Sequence, residues 1–376
     1  MIGFQLGREW RLSIAEILAV FNDVKIIDYT SDYLILDNLE EKIVLEKASN
    51  LGGSIKIMKI FSLEDISFEE KILDLAAENE GKFKYGITVL GDKFNLKTTL
   101  MKLKKELKNS GISSRFVNKD FKSINSATII GENLVKRGTD FSVLQNKNNK
   151  FLGKTIWIQD INAYSKRDYA KSRDMQVGML PPKLSQMMIN LSGGKEVVYD
   201  PFIGLGTILI EAELMGFSGL YGSDLNQTMV ETSSSNTKGI IEKLNAKFIN
   251  EATFFDKIKT GVIVTEGYLG EVMTQKNISK DRILEQRKGL EKLYNPFFEN
   301  LKKGGFSGTI VMSFPFWEVR GNYYYFEEIY SILEEYCEIL PYFPEDFNIK
   351  STKTGSLLYK REKQLVGREI FKLKIK

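Results

Sequence analysis

Two clusters in the second half of the chain combine residue types and spacings suited to chemistry. The first is Val197-Val198-Tyr199-Asp200-Pro201-Phe202-Ile203-Gly204-Leu205-Gly206-Thr207. A short apolar run closes on Asp200, two glycines follow at a spacing of two, and Thr207 opens a helical pattern that stops at Gly216. A strand that feeds a helix through a glycine turn places a binding crevice at its carboxyl end. A dinucleotide fingerprint needs a third glycine, and Leu209 stands in its place. A phosphate loop needs Gly-Lys-Ser/Thr, and no lysine follows Gly206. The carboxylate of Asp200 argues further against phosphate, because it repels an anion and accepts hydrogen bonds from an ammonium group. S-adenosylmethionine offers an ammonium, a ribose and no phosphate. Asp224, twenty residues beyond Gly204, has the spacing of a ribose-binding acid. The expected donor site is therefore Asp200, Phe202, Gly204, Gly206, Thr207, Asp224 and Leu225. The bland alternative is a structural turn in another α/β enzyme.

The second cluster is Glu266-Gly267-Tyr268, at the end of the apolar run Gly261-Val262-Ile263-Val264-Thr265. An amine about to be methylated needs acceptors for its hydrogens and a surface for its base. Glu266 and the Gly267 carbonyl supply acceptors, glycine allowing close backbone approach. Tyr268 supplies a ring, and stacking of a base on such a ring contributes roughly 1–3 kcal/mol. The alternative here is a polar turn with a surface tyrosine. A further aromatic group, Phe314-Pro315-Phe316-Trp317, is expected to follow a strand from Gly308, either walling the base pocket or packing as a hydrophobic loop.

Absences narrow the chemistry. The chain of 376 residues contains no histidine, which removes an imidazole base, a His-based triad and a His-ligated zinc. No metal site is expected. The single cysteine, Cys337, lies in an acidic, helix-like stretch away from both clusters and makes a poor nucleophile candidate. Methyl transfer from a sulfonium to an amine needs neither group; the donor is already activated, and the protein mainly positions the acceptor. One cysteine fits a reducing compartment. No apolar run is long enough to span a membrane and no signal segment opens the chain, so the expectation is a cytoplasmic location.

The elements that must position these clusters alternate strand and helix from Leu180 onward and close on a pair of strands around Gly367, the pattern of a Rossmann-like α/β sheet. Before them, the charge is uneven. Residues 1–80 hold 8 Lys/Arg against 16 Asp/Glu, residues 81–173 hold 20 against 7, and the remainder is nearly balanced. A basic module between acidic and neutral ones is the footprint of a polyanion contact, with a solvated lysine-rich surface as the alternative. Its strongest candidates are Lys102 and Lys105 on the polar face of an amphipathic helix, Arg115 at a short strand, and Lys166, Arg167, Lys171 and Arg173 interleaved with tyrosines in a connecting stretch.

Asp200-Pro201-Phe202-Ile203-Gly204-Leu205-Gly206-Thr207 resembles the Asp-Pro-x-Cys-Gly-Ser-Gly-Thr motif of THUMP-containing RNA methyltransferases, and Arg173 to Leu184 is similar to their entry helix. The basic segment resembles a THUMP domain. The acidic start resembles the ferredoxin-like domain of the tRNA guanine-N2 methyltransferases that act at position ten. The resemblance implies four parts: a ferredoxin-like domain (1–62), a THUMP-like RNA-binding domain (63–163), a linker (164–180) and a Rossmann-like class I methyltransferase domain (181–376). It implies S-adenosyl-L-methionine as cofactor, tRNA as partner, a small activator protein as a further partner, and a place near the adenine for Thr253. Two departures stand out. Ile203 and Leu205 replace the motif's Cys and Ser, and Glu266-Gly267-Tyr268-Leu269 replaces its Asp/Asn-Pro-Pro-Tyr. The expected activity is methylation of a guanosine N2 amine in tRNA. The alternatives are a catalytically weak tRNA-binding relative, or methylation of another RNA or DNA amine.

Overall fold

A computed structural model gives the fold and describes every residue except 65, 80, 170–179, 242–243, 249–257, 346 and 363. The chain divides into two compact units. One takes in Met1–Trp10, Phe21–Ser49 and Gly53–Ile161, and the other Arg11–Val20, Asn50–Gly52 and Asn162–Lys376.

The first unit is built on strands β1 (Ile2–Leu6), β2 (Lys25–Tyr29), β3 (Tyr33–Asp37), β4 (Ser54–Ser62), β5 (Phe83–Gly91), β6 (Ser114–Phe116), β7 (Asp140–Gln145) and β8 (Lys150–Ile158). They form one sheet in the order β2-β3-β1-β4-β8-β7-β5-β6. The antiparallel pairing of β4 with β8 joins the segments 1–62 and 63–163 in a single sheet, although the sequence reads as two domains there. Helix α1 (Trp10–Val20) and helix α2 (Glu41–Lys47) lie between the first strands in sequence; α1, apart from Trp10, belongs to the second unit. Helix α3 (Phe68–Ala77) begins at a capping box, in which Ser67 Oγ accepts from the Glu70 amide and Glu70 Oε2 accepts from the Ser67 amide. Helix α4 (Leu96–Asn109) buries Leu96, Leu100, Leu103 and Leu107 at helical spacing, while Lys97, Lys102, Lys104, Lys105 and Lys108 are exposed. Short helices α5 (Ser126–Gly131) and α6 (Leu134–Arg137) lead into β7.

The second unit continues with α7 (Ile161–Tyr169) and α8 (Pro182–Ser192). Strands β9 (Val197–Asp200), β10 (Gly219–Asp224), β11 (Leu244–Phe248), β12 (Val262–Thr265) and β13 (Thr309–Val319) follow, separated by α9 (Thr207–Leu214), α10 (Gln227–Thr237) and α11 (Lys280–Lys303). The chain closes with β14 (Asn322–Tyr325), α12 (Glu328–Tyr336), β15 (Cys337–Ile339), β16 (Leu357–Tyr359) and β17 (Val366–Ile375). The sheet runs β11-β10-β9-β12-β13-β17-β15. Its first five strands are parallel, and β17 returns antiparallel to both β13 and β15. Residues alternate between the two faces, as a pleated strand requires. Val198, Val264, Val311 and Ile370 join a core with Leu184, Met188, Ile208 and Leu209. Tyr199, Ile263, Ile310 and Phe371 join another with Leu290, Phe298, Ile329 and Leu333. From β9 the chain moves to β10 and β11 on one side, then returns to β12 and β13 on the other. The order therefore reverses between β9 and β12, and that is where a doubly wound sheet opens its crevice.

Some local expectations change. Strand β13 runs past Phe314 to Val319, so Phe314, Phe316 and Trp317 are buried strand residues and not a loop walling a pocket. Cys337 sits in a strand; burial pushes its thiol up to about 12, which makes it a poor nucleophile.

Candidate active site

The donor half is assembled at the end of β9. Asp200 is 2% exposed, and its Oδ1 accepts from the Phe202 amide at 3.2 Å. Burial pushes its carboxyl up to about 7; the nearby charges of Asp224 and Glu266 add to the effect, while hydrogen bonds from Thr265 and the Phe202 amide oppose it. The turn is tied to β10 by the Ile203 amide, which donates to the Ser223 carbonyl at 2.9 Å. Asp224 ends β10 and grips the turn directly. Its Oδ2 accepts from the Gly204 amide at 3.0 Å and its Oδ1 from the Asn226 amide at 2.9 Å. Burial raises this carboxyl as well, against the lowering effect of its backbone donors.

The acceptor half is the turn after β12. Thr265 Oγ1 accepts from the Gly267 amide at 3.3 Å, and three side chains from other elements hold the turn. Ser313 Oγ, on β13, donates to the Glu266 carbonyl at 2.5 Å. Tyr294, buried in α11, donates its hydroxyl to the Tyr268 carbonyl at 2.7 Å. Arg368, on β17, places Nε and Nη2 each 2.5 Å from Glu266 Oε1. The carbonyls on either side of Gly267 are thus occupied, and the Gly267 carbonyl has no partner among the described residues. Gly267 itself has φ +72°, and a Cβ there would lie 2.7 Å from the Tyr294 hydroxyl and 2.8 Å from the Ser313 carbonyl. Only glycine fits this turn without displacing it.

Between the halves lies a crevice of about 700 Å³, lined in part by Phe202, Gly204, Asp224, Leu225, Glu266 and Tyr268. Of the expected donor residues, Asp200, Gly206 and Thr207 do not line it; they shape the turn from beneath, and Gly206 and Thr207 start α9. Thr253 lies outside the described residues. The expected acceptor residues Glu266 and Tyr268 meet the donor residues in this one crevice, with Tyr268 47% exposed. The other wall comes from Asn226, Met229 and α11, which presents Gln286, Gly289, Leu290 and Leu293. These α11 positions have one-face helical spacing, visible in the sequence, but nothing there says which face meets the crevice. Asp224, Glu266, Glu271 and Glu285 line the crevice, while no lysine or arginine does so among the described residues. Such a lining suits a cationic ligand and opposes a phosphate.

The residues fit S-adenosylmethionine. A Cβ on Gly204 would meet only the Phe202 carbonyl oxygen, at 3.8 Å, so the backbone lies open where a ligand must approach it. Asp224 stands at the crevice wall with the spacing a ribose-binding acid requires. No group of acids and cysteines suited to holding a metal ion occurs among the described residues.

The expected RNA contacts lie elsewhere. Lys102, on α4, is exposed, with Glu69 at 3.7 Å and Glu106 at 3.8 Å; Lys105 and Arg115 are exposed as well. On α7, Lys166 is exposed, whereas Arg167 donates from Nε to the buried Glu211 at 2.9 Å. Lys171 and Arg173 lie outside the described residues, as does most of the segment similar to the entry helix.

A parallel sheet with a reversed antiparallel strand, and a phosphate-averse crevice at its switch point, define a Rossmann-like methyltransferase. Residues 170–315 match the family described as RMKL-like, methyltransferase domain. The tRNA (guanine(10)-N2)-dimethyltransferase of Methanocaldococcus jannaschii is 25% identical over 307 residues, spanning 76% of this chain and 86% of that protein. The enzyme of the same name from Pyrococcus abyssi is 26% identical over 174 residues, 43% of this chain and 49% of that one. Among solved structures, TrmN from Thermus thermophilus superposes with a TM-score of 0.51 at 14% identity, covering 100% of this chain and 99% of that one. The chain is thus similar to tRNA guanine-N2 methyltransferases over most of its length, and to a methyltransferase domain over residues 170–315.

Proposed function

We propose that this protein uses S-adenosylmethionine to methylate the exocyclic N2 amine of a guanosine in tRNA, with position ten as the site. The observation that carries the reading is the turn after β12. It offers two acceptors, the Gly267 carbonyl and Glu266 Oε2, which the described residues leave without a partner, and Glu266 lines the same crevice as Asp224 and Gly204. The N2 amine of guanine has two hydrogens. Its lone pair is delocalised into the ring, and acceptors that hold both hydrogens turn that lone pair towards the donor.

The cofactor, when bound, supplies an electrophilic methyl group on a sulfonium. The chain supplies position. Asp224 and the Gly204 turn hold the adenosine end, Asp200 braces the turn, and Tyr268 offers its exposed ring to the base. A new N–C bond forms as the C–S bond breaks; the bonding pair stays on sulfur, and the amine proton leaves to solvent. We assign docking of the tRNA to the first unit, through exposed cations that include Lys102, Lys105 and Arg115, in the manner of ferredoxin-like and THUMP domains. Residues 164–180 then serve as the connection to the methyltransferase part.

The test is transfer by the whole chain. The protein is incubated with methyl-labelled cofactor and total tRNA from its host, and the RNA is digested to nucleosides. Label in N2-methylguanosine or its dimethyl form supports the reading. Cofactor binding without transfer indicates a binding module or dependence on a small activator protein, and label in another nucleoside moves the acceptor. Affinity for tRNA is expected to fall steeply with salt, as phosphate contacts release counterions; a flat salt response overturns the docking role of the first unit.

A further inference from the structure

Arg368 is the residue at this site that neither cluster predicts. It lies on β17, opposite Pro315 of β13, and 102 residues from the glutamate it holds. It is 3% exposed, and its guanidinium carbon sits 5.9 Å from the centre of the Tyr359 ring. Two of its nitrogens converge on one oxygen of Glu266, Oε1. The Glu266 side chain keeps 17% exposure and lines the crevice, and the described residues leave its Oε2 without a partner.

A forked, charge-assisted contact fixes orientation as well as charge. Glutamate is longer than aspartate by one methylene and carries one more torsion, so it needs an external constraint to present a defined oxygen. The donors that supply one come from a buried strand, whose own position is set by nine paired residues along β13.

We propose that Arg368 is a positioning residue for the acceptor amine: it engages Oε1 of Glu266 and thereby presents Oε2 to the amine N–H. The proposal rests on the function given above and adds a specificity-setting partner to it. A purely structural ion pair between the turn and β17 is the competing account, and the two differ in what they couple.

The experiment is a double-mutant cycle in the full-length protein with Arg368→Gln, Glu266→Gln and the pair, alongside Arg368→Lys. Arg368→Gln is expected to lower kcat for tRNA methylation about tenfold, the equivalent of one charge-assisted contact, with cofactor Kd and tRNA KM changed less than about twofold. Arg368→Lys restores part of the rate, because it returns the charge without the fork. In the Glu266→Gln background, Arg368→Gln costs little more. A second readout uses guanosine itself, titrated by ligand-observed NMR into protein saturated with S-adenosylhomocysteine; Arg368→Gln weakens guanosine only when Glu266 is present. Additive effects in the cycle overturn the proposal. So does a lowered melting temperature with unchanged kcat and unchanged guanosine affinity. If the wild-type chain transfers no methyl group, the proposed function falls, while the guanosine cycle still decides the role of Arg368. Should Arg368→Gln fail to fold, Arg368→Lys carries the same comparison.

Discussion

The two sides of the crevice are built by different means. On the donor side the contacts are short in sequence. Asp200 holds the Phe202 amide and Asp224 holds the Asn226 amide, each two residues away, and Asp224 reaches Gly204 across twenty. On the acceptor side one contact is local, Thr265 Oγ1 accepting from the Gly267 amide, and the rest are long. Tyr294 reaches Tyr268 across 26 residues, Ser313 reaches Glu266 across 47, and Arg368 reaches it across 102. The donor half is thus a local strand–turn–helix device that carries its own constraints. The acceptor half is a loop whose shape is imposed by three other elements. The acceptor turn contains no proline, and its shape is held by partners on α11, β13 and β17.

The largest expected effect comes from striking the borrowed side. Gly267→Ala places a methyl group 2.7–2.8 Å from the Tyr294 hydroxyl and the Ser313 carbonyl, at φ +72°. The turn must shift, and a displacement on the order of an ångström at a reacting centre costs roughly 100-fold in rate. Single-turnover transfer measures it; cofactor Kd is expected to stay within about twofold. A matching loss of cofactor affinity would show that the two halves are not independent. A smaller effect comes from the self-contained side. Asp224→Ala removes the wall acid and its hold on the Gly204 amide, and cofactor Kd should rise about tenfold, while kcat at saturating cofactor changes little. Unchanged affinity, read by equilibrium titration, would remove Asp224 from the donor site.

An effect on stability, not on rate or affinity, concerns pH. Burial raises Asp200 to about 7, so the folded chain keeps a proton that the unfolded chain releases at ordinary carboxylate values. Between about pH 4 and pH 7 the folded state therefore binds more protons, and stability falls as pH rises through that window. Asp200→Asn cannot ionise and should flatten this part of the profile. Thermal melting of both proteins across the window checks it, and parallel profiles would mean that Asp200 does not titrate there.

What was legible follows the same division. The donor turn could be read because its residues constrain one another within a few positions: an acid ending an apolar run, glycines two apart, a second acid at ribose spacing. The parallel sheet was legible from strand and helix alternation. The reach of β13 was not, because Phe314 to Trp317 reads equally as an aromatic loop, and only pairing with β17 extends the strand. Asp200 reads as a ligand residue and lies buried at the end of β9, outside the crevice lining, since an acid at a strand end can point to either side of it. The separation of the first 163 residues into two parts gave no hint that β4 and β8 pair across it.

By itself, then, the sequence determined the class of donor and the exclusion of imidazole and metal–histidine chemistry, because residue identity and short spacing suffice for both; that the Cys337 thiol is a poor nucleophile is decided by its burial. Only the tertiary structure decided the acceptor side. Whether Glu266 is a surface carboxylate or an oriented acceptor depends on Arg368 lying opposite Pro315 on a neighbouring strand, and strand register is fixed by the packing of two whole sheet faces, not by any local run of residues.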